Sequence, residues 1–216
     1  MADYFPAFLD LRSRRCLVVG GGAVAERKAK DLVDCGARVT VVSPVLTPGL
    51  GALTASGLVA HRARKFLRSD VRGCAVVIAA TGRARIDDAV AAEARRHHAL
   101  VNVVERPVHC DFISPSVLRR GALQIAVSTG GRSPALAREI RRRLEPLFSA
   151  ELGELVEQTG RERARARAAA PTQVARLAAG ERVVKLALAG VSDDSMRHRP
   201  DSSTGDSAGR LVRARG

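Results

Sequence analysis

Aromatic side chains are scarce in this chain: five Phe, one Tyr and no Trp make up 3% of its 216 residues. So few rings leave little on which exposed bases could stack. That weighs against nucleic acid as a partner, although the formal net charge is +14. Long hydrophobic runs are missing too; no stretch approaches the ~18 consecutive apolar residues that a membrane span requires. The opening MADYFPAFLDLRSRR carries acids and no apolar core, so it does not read as a secretory signal. Cysteine is sparse and unpaired in sequence. Cys16, Cys35, Cys74 and Cys110 lie far apart without a CxxC, which leaves no zinc or redox motif and points to buried free thiols in a reducing cytoplasm. Acids are in deficit, 22 against 36 basic residues. The surplus is nearly all Arg, scattered through Ala-rich segments, and reads as solvated surface. A polyanionic small substrate and, less readily, nucleic acid stay open as alternatives.

What is present alternates between two periods. Cys16–Val19, Arg38–Val42, Val59–Arg64, Cys74–Ala80 and Leu100–Val104 are short β-branched or apolar runs, read as strands. CAVVIAA, from Cys74 to Ala80, is apolar throughout, as expected of a strand covered on both faces of a parallel sheet. Helices are expected between them at Val24–Cys35, Leu50–Ser56 and Ile86–Arg96. The alternation predicts a doubly wound α/β fold over residues 1–112. Beyond it, one more strand is expected at Leu123–Val127. A helix follows from Pro134 to about Phe148, with Ser133 as N-cap and Pro134 as first helical residue. Two further helices, Ala150–Ala169 and Thr172–Leu188, are separated by Pro171. This divides the remainder into a small α/β segment (113–148), a helical carboxyl-terminal domain (149–190) and a tail (191–216). The tail is rich in Ser, Gly, Asp and Arg and is expected to be disordered.

The first strand runs into LVVGGGAVAERKA. Gly20, Gly22 and Ala25 form G-x-G-x-x-A between a buried strand and a helix, the placement a dinucleotide-binding loop requires. Gly20 would allow the turn and Gly22 the approach of a pyrophosphate. The N–H groups that open the helix, at Ala23 and Val24, would receive the anion. A glycine turn with no ligand is the competing reading. No acid stands near Val42 to bind a ribose; Ser43, followed by Pro44, is the polar side chain placed there. With no Arg beside it either, NAD is favoured over NADP.

Four blocks in order, YFPAFLDLRSRRCLVVGGGAVAERKAKDL, VVIAAT, VNVVERPVHCDFISPS and STGGRSPALAR, resemble the N-terminal module of siroheme synthase over about residues 4–145. That resemblance implies a Rossmann domain binding NAD, a dimerisation segment and a helical carboxyl-terminal domain in a homodimer. It implies oxidation of precorrin-2 to sirohydrochlorin, with ferrochelatase activity in bifunctional members. It also places Thr81 against the cofactor, and puts Glu105 where the family has a catalytic aspartate in NVVD. Chelation is the step most exposed to that extra methylene. After Thr81 the family shows a TDDPELN-like run, whereas TGRARID, with Gly82 and Asp87, stands here.

Precorrin-2 carries acetate and propionate groups, so basic and N–H-rich elements are candidates to hold it. STGGRS offers Ser128 and a nest of N–H groups at Gly130 and Gly131. The helix after it offers Arg138, Arg141 and Arg142. Helix initiation is an equal reading of the glycines, and solvated surface accounts for most of the arginines. His109 is read as a loop histidine that could otherwise hold a proton or metal. Asp111 and Ser114 belong to a family block of structural character. No resident metal is expected. No methyltransferase segment is seen, so the preceding methylations are expected from another chain. Two other functions stay open: a chelatase without dehydrogenase activity, and a regulatory module that senses NAD.

Overall fold

The structure is a computed structural model that describes the backbone of residues 4–189 and the side chains of residues 4–185. The tail expected to be disordered, 191–216, lies outside the described residues. Five parallel strands, β1 (Arg15–Val19), β2 (Arg38–Val42), β3 (Val59–Arg62), β4 (Val76–Ala79) and β5 (Leu100–Val103), form a sheet in the order β3-β2-β1-β4-β5. Helices α1 (Ala23–Asp34), α2 (Pro48–Ala55) and α3 (Ala84–Arg96) cross between them.

The strict side-chain alternation of a strand sorts this core into two layers. Cys16 and Val18 of β1, Val39 and Val41 of β2 and Val76 and Ile78 of β4 pack with Ala25, Ala29 and Leu32 of α1. Leu17, Val19, Val42, Val77, Ala79, Val101 and Val103 face the other way, onto Val90, Ala91 and Ala94 of α3. Small residues at helical spacing let both helices lie close to the sheet. Each fully buried Val contributes about 1.5–3 kcal/mol relative to exposure, so the central strands anchor everything at their ends.

Chain contacts divide the protein into two compact units. Of the described residues, one holds those up to Ser114 with Gly130–Arg132; the other holds Pro115–Thr129 and those from Ser133 on. In the second, β6 (Ser116–Arg120) and β7 (Leu123–Val127) pair antiparallel around Gly121–Ala122. Helices α4 (Pro134–Leu144), α5 (Ala150–Ala169) and α6 (Gln173–Ala189) follow. Strand β6 was not expected from the sequence: Leu118 is its one fully covered side chain, and it owes its form to pairing with β7. Helix α4 stops four residues short of the expected Phe148. Pro146 has no N–H to continue the ladder, and the chain tightens into a 3-10 turn at Glu145–Leu147. Among the described residues, no helix is long and apolar enough to cross a membrane.

Candidate active site

Parallel strands deliver their carboxyl ends to one edge, and here three of those ends stand in register. Val19 pairs with Ala79 and Ala79 with Val103. The residues just beyond continue the row: Ala80 donates its N–H to the Val19 carbonyl at 2.8 Å, and Val104 to that of Ala79 at 2.9 Å. The Gly20–Gly22 loop, the Thr81 loop and the turn at Glu105 are therefore neighbours. The connections leave β1 and β4 in opposite directions, which opens the crevice where doubly wound sheets bind ligands.

The three glycines do different things. Gly20 adopts φ +130°, and a Cβ there would strike the Ala80 carbonyl. A Cβ on Gly21 would strike the Val45 carbonyl and lie 2.6 Å from Ser43 Oγ. Gly22 is different: its φ is an ordinary −86°, and nothing lies within 4 Å of an added Cβ. It is the N-cap of α1 and offers no side chain to cap it. The first-turn N–H groups, which have no partner inside the helix, face that open ground from Ala23, exposed, and Val24, half-buried. The loop thus fits a pyrophosphate at Gly22, while Gly20 and Gly21 are required by the protein itself. Reading G-x-G-x-x-A alone passes over Gly21, because its constraint comes from a distant carbonyl.

Ser43 is nearly buried and donates its hydroxyl to the Val45 carbonyl at 2.7 Å; Pro44 beyond it is exposed. The hydroxyl oxygen keeps acceptor capacity for a ribose hydroxyl. Thr81 donates its N–H and its hydroxyl to Asp87 Oδ1, at 3.2 and 2.8 Å, and accepts from the Arg83 N–H at 3.1 Å. Asp87 is buried in the first turn of α3, where a carboxylate suits the helix dipole.

Glu105 sits at φ +62° in a turn closed by the Arg106 N–H and the Val103 carbonyl, 3.2 Å apart. Left-handed backbone is uncommon outside glycine and clusters at functional positions. Its carboxylate is exposed and makes no hydrogen bond or ion pair among the described residues. Around it, the side chains of Arg106, His109 and Cys110 are tied. Arg106 donates to Asp88 of α3 at 2.6 Å and to His109 Nε2 at 2.8 Å. A guanidinium only donates, so Nε2 is the acceptor and the ring proton sits on Nδ1. Cys110 Sγ accepts from the Val103 N–H at 3.1 Å and donates to the Val103 carbonyl at 3.2 Å; burial pushes its thiol pKa up.

The returning segment is structural. Asp111 accepts from the Val101 N–H at 2.9 Å, and buried Asn102 donates to the Phe112 carbonyl at 3.0 Å. Ser114 accepts from Lys28 Nζ at 2.6 Å, and burial lowers the Lys28 pKa. Among the described residues, no three His, Cys, Asp or Glu converge as a metal site.

In the STGGRS segment, Gly130 and Gly131 adopt φ +62° and +79°, with open space at both added Cβ positions. Ser133 caps α4 by accepting from the Leu136 N–H at 3.2 Å, and its own N–H is held by Thr129 Oγ1 at 3.0 Å. Ser128 is exposed. Two of the three candidate arginines are engaged within α4 and its end: Arg142 with Glu139 at 2.7 Å, and Arg141 with Glu145. Arg138 is exposed and pairs with no acid among the described residues.

Comparison with known proteins agrees with this architecture. A family described as putative NAD(P)-binding matches residues 7–116, and a segment described as sirohaem biosynthesis protein central matches residues 120–147. The siroheme synthase of Methylococcus capsulatus is 42% identical over 200 residues, covering 90% of this chain and 42% of that protein. That of Methylobacillus flagellatus is 46% identical over 153 residues, covering 71% and 33%. The chain thus spans less than half the length of these curated relatives. A solved structure titled "SirC, precorrin-2 dehydrogenase" shares the fold with a TM-score of 0.69 at 24% identity, over 89% of this chain and 92% of that one. With the family model laid over the sheet and its glycine loop, and the central segment directly after it, the chain belongs to the siroheme synthase N-terminal family, its NAD(P)-binding domain spanning residues 7–116.

Proposed function

We propose that this protein oxidises precorrin-2 to sirohydrochlorin with NAD, Glu105 acting as the general base. The observation that carries this is an untied carboxylate, on left-handed backbone, at the same sheet edge as a glycine loop open for a pyrophosphate and one strand removed from it. Bound NAD supplies the hydride acceptor. The protein's own part is to hold the cofactor at Gly22, Ala23 and Val24, with Ser43 and Pro44 at the ribose and Thr81 along its flank. Glu105 takes the proton that leaves as the carbon–hydrogen bond gives up its hydride, so the substrate loses two electrons and two hydrogens in all. Its carboxylate is in no ion pair among the described residues, which leaves its oxygens open to accept that proton.

Ser128, the N–H groups of Gly130 and Gly131, and Arg138 are the groups proposed to receive the acetate and propionate rim. The net charge of +14 favours encounter with such a polyanion. Some of the other basic residues pair with acids on the surface, as Arg142 and Arg143 do with Glu139, and neither nucleic acid nor a membrane is part of this reading. The residues after the sheet domain are proposed to act as a dimerisation segment (113–148) and a helical domain (149–190) in a homodimer. Leu136 and Ile140 stand exposed one turn apart on α4, as a face awaiting a second copy would. A purely monomeric species in sedimentation at micromolar concentration would remove the dimer. All four cysteines are free, which fits a reducing cytoplasm.

The test of the reaction is direct. Purified protein given precorrin-2 and NAD should yield sirohydrochlorin and NADH in equal amounts. Sirohydrochlorin without NADH, or no product at all, would defeat the reading.

A further inference from the structure

We propose that Arg106 and His109 are positioning residues that hold the Glu105 turn in its working geometry; this rests on Glu105 being the base. The turn is one residue of left-handed backbone between a strand end and a 3-10 turn at Pro107–His109, and Glu105 makes no contact that would fix it. Three ties hold it from outside. Below it, Cys110 Sγ accepts from the Val103 N–H at 3.1 Å, and its single S–H has the Val103 carbonyl at 3.2 Å and the Arg106 carbonyl at 3.4 Å as alternative acceptors. To one side, the Arg106 guanidinium spans from Asp88 on α3 to His109 Nε2. On the far side, Arg95 of α3 donates to the His109 carbonyl at 2.8 Å. The 3-10 turn is thus fastened to α3 twice, by Arg95 through backbone and by Arg106 through a side chain. Arg106 is the residue adjacent to the base, and with its guanidinium anchored at both Asp88 and His109 the backbone of the turn has less room to move.

His109 is essential to this arrangement as an acceptor. Arg106 directs one nitrogen at Asp88 and needs a second acceptor for the other, and neutral imidazole provides it without adding charge beside Glu105. A carboxylate there would draw Arg106 away from Asp88. An apolar side chain would leave one guanidinium nitrogen unpaired and the turn held by the Arg95 and Cys110 ties without it. The expected consequence is selective: the chemical step slows because the base is misplaced, whereas cofactor binding at Gly22 is untouched.

Three variants of the full chain test this: His109→Leu removes the acceptor, His109→Gln restores one, and Asp88→Ala cuts the other end of the span. Turnover of precorrin-2 should fall about ten- to a hundredfold in His109→Leu and Asp88→Ala, with KM for NAD unchanged. His109→Gln should recover most of it. Amide hydrogen exchange at residues 103–106 should speed up in the same two variants and not in His109→Gln. Equal turnover in His109→Leu and wild type, or equal loss in Leu and Gln variants, overturns the proposal. Should the wild type leave precorrin-2 unchanged, the base assignment fails; the exchange comparison, which needs no substrate, then decides whether the turn is held in this way.

Discussion

Thr81 and Asp87 are joined twice: one carboxylate oxygen accepts both the backbone N–H and the hydroxyl of Thr81, at 3.2 and 2.8 Å. The pair fixes the loop from β4 to α3 against Gly20, whose missing Cβ would fall on the neighbouring Ala80 carbonyl. Asp87→Ala should therefore leave the half-buried Thr81 N–H without its acceptor and cost about 1 kcal/mol of stability in urea unfolding. NAD affinity, read by calorimetry, should weaken with it. Unaltered stability and affinity would show that the loop is held by something else.

The glycines make a sharper contrast. Gly20→Ala and Gly21→Ala each force a methyl into a backbone carbonyl, so both should lower the unfolding midpoint markedly, as measured by circular dichroism. Gly22→Asp meets open space and should fold normally, yet place a negative charge where the pyrophosphate belongs and abolish NAD binding. A well-folded Gly22→Asp that still binds NAD would displace the cofactor from this loop.

Acid titration addresses the other end of the sheet. Asp70 is fully buried between Arg62 and Arg64, with Arg64 nitrogens 2.6 and 2.8 Å from its two oxygens. Burial raises its pKa, but hydrogen bonds from Arg64, the Leu67 N–H and Arg62 prevail and bring it from 3.8 down to about 2. Because the folded value is the lower, the stabilisation is complete above pH 3.8 and disappears as the pH falls through about 2. It amounts to about 2 kcal/mol. Asp70→Asn should be less stable than wild type by at least that much at neutral pH, and the gap should narrow towards pH 2. A gap independent of pH would place the effect in packing rather than charge.

Much of the sheet domain was legible because its strands are buried on both faces, so β-branched runs such as RVTVV cannot be mistaken for surface. Its glycine loop was legible because chemistry and steric need coincide there. Strand β6 was not, since Ser116–Arg120 carries little apolar content and depends on β7 for its form. Nor was the role of Gly21, which depends on Val45 across the loop. Glu105 could be picked out from NVVERP, but its left-handed backbone could not, and neither could the span from Asp88 through Arg106 to His109. Residues 88 and 106 lie on opposite sides of β5 in sequence, and only the crossover from α3 to the strand end brings them together. The charge surplus was the least informative feature: α4 alone absorbs part of it in pairs with Glu139 and Glu145.

The measurement that bears most directly on the account is NADH formation from precorrin-2 by wild type and Glu105→Gln, with NAD affinity measured on both. Glutamine keeps the size and the hydrogen-bonding reach of the side chain and removes the base. Wild type should turn over, and the variant should be slower by about 10²–10⁴-fold while binding NAD as tightly. Turnover by Glu105→Gln at the wild-type rate would contradict the account and move the proton to another acceptor.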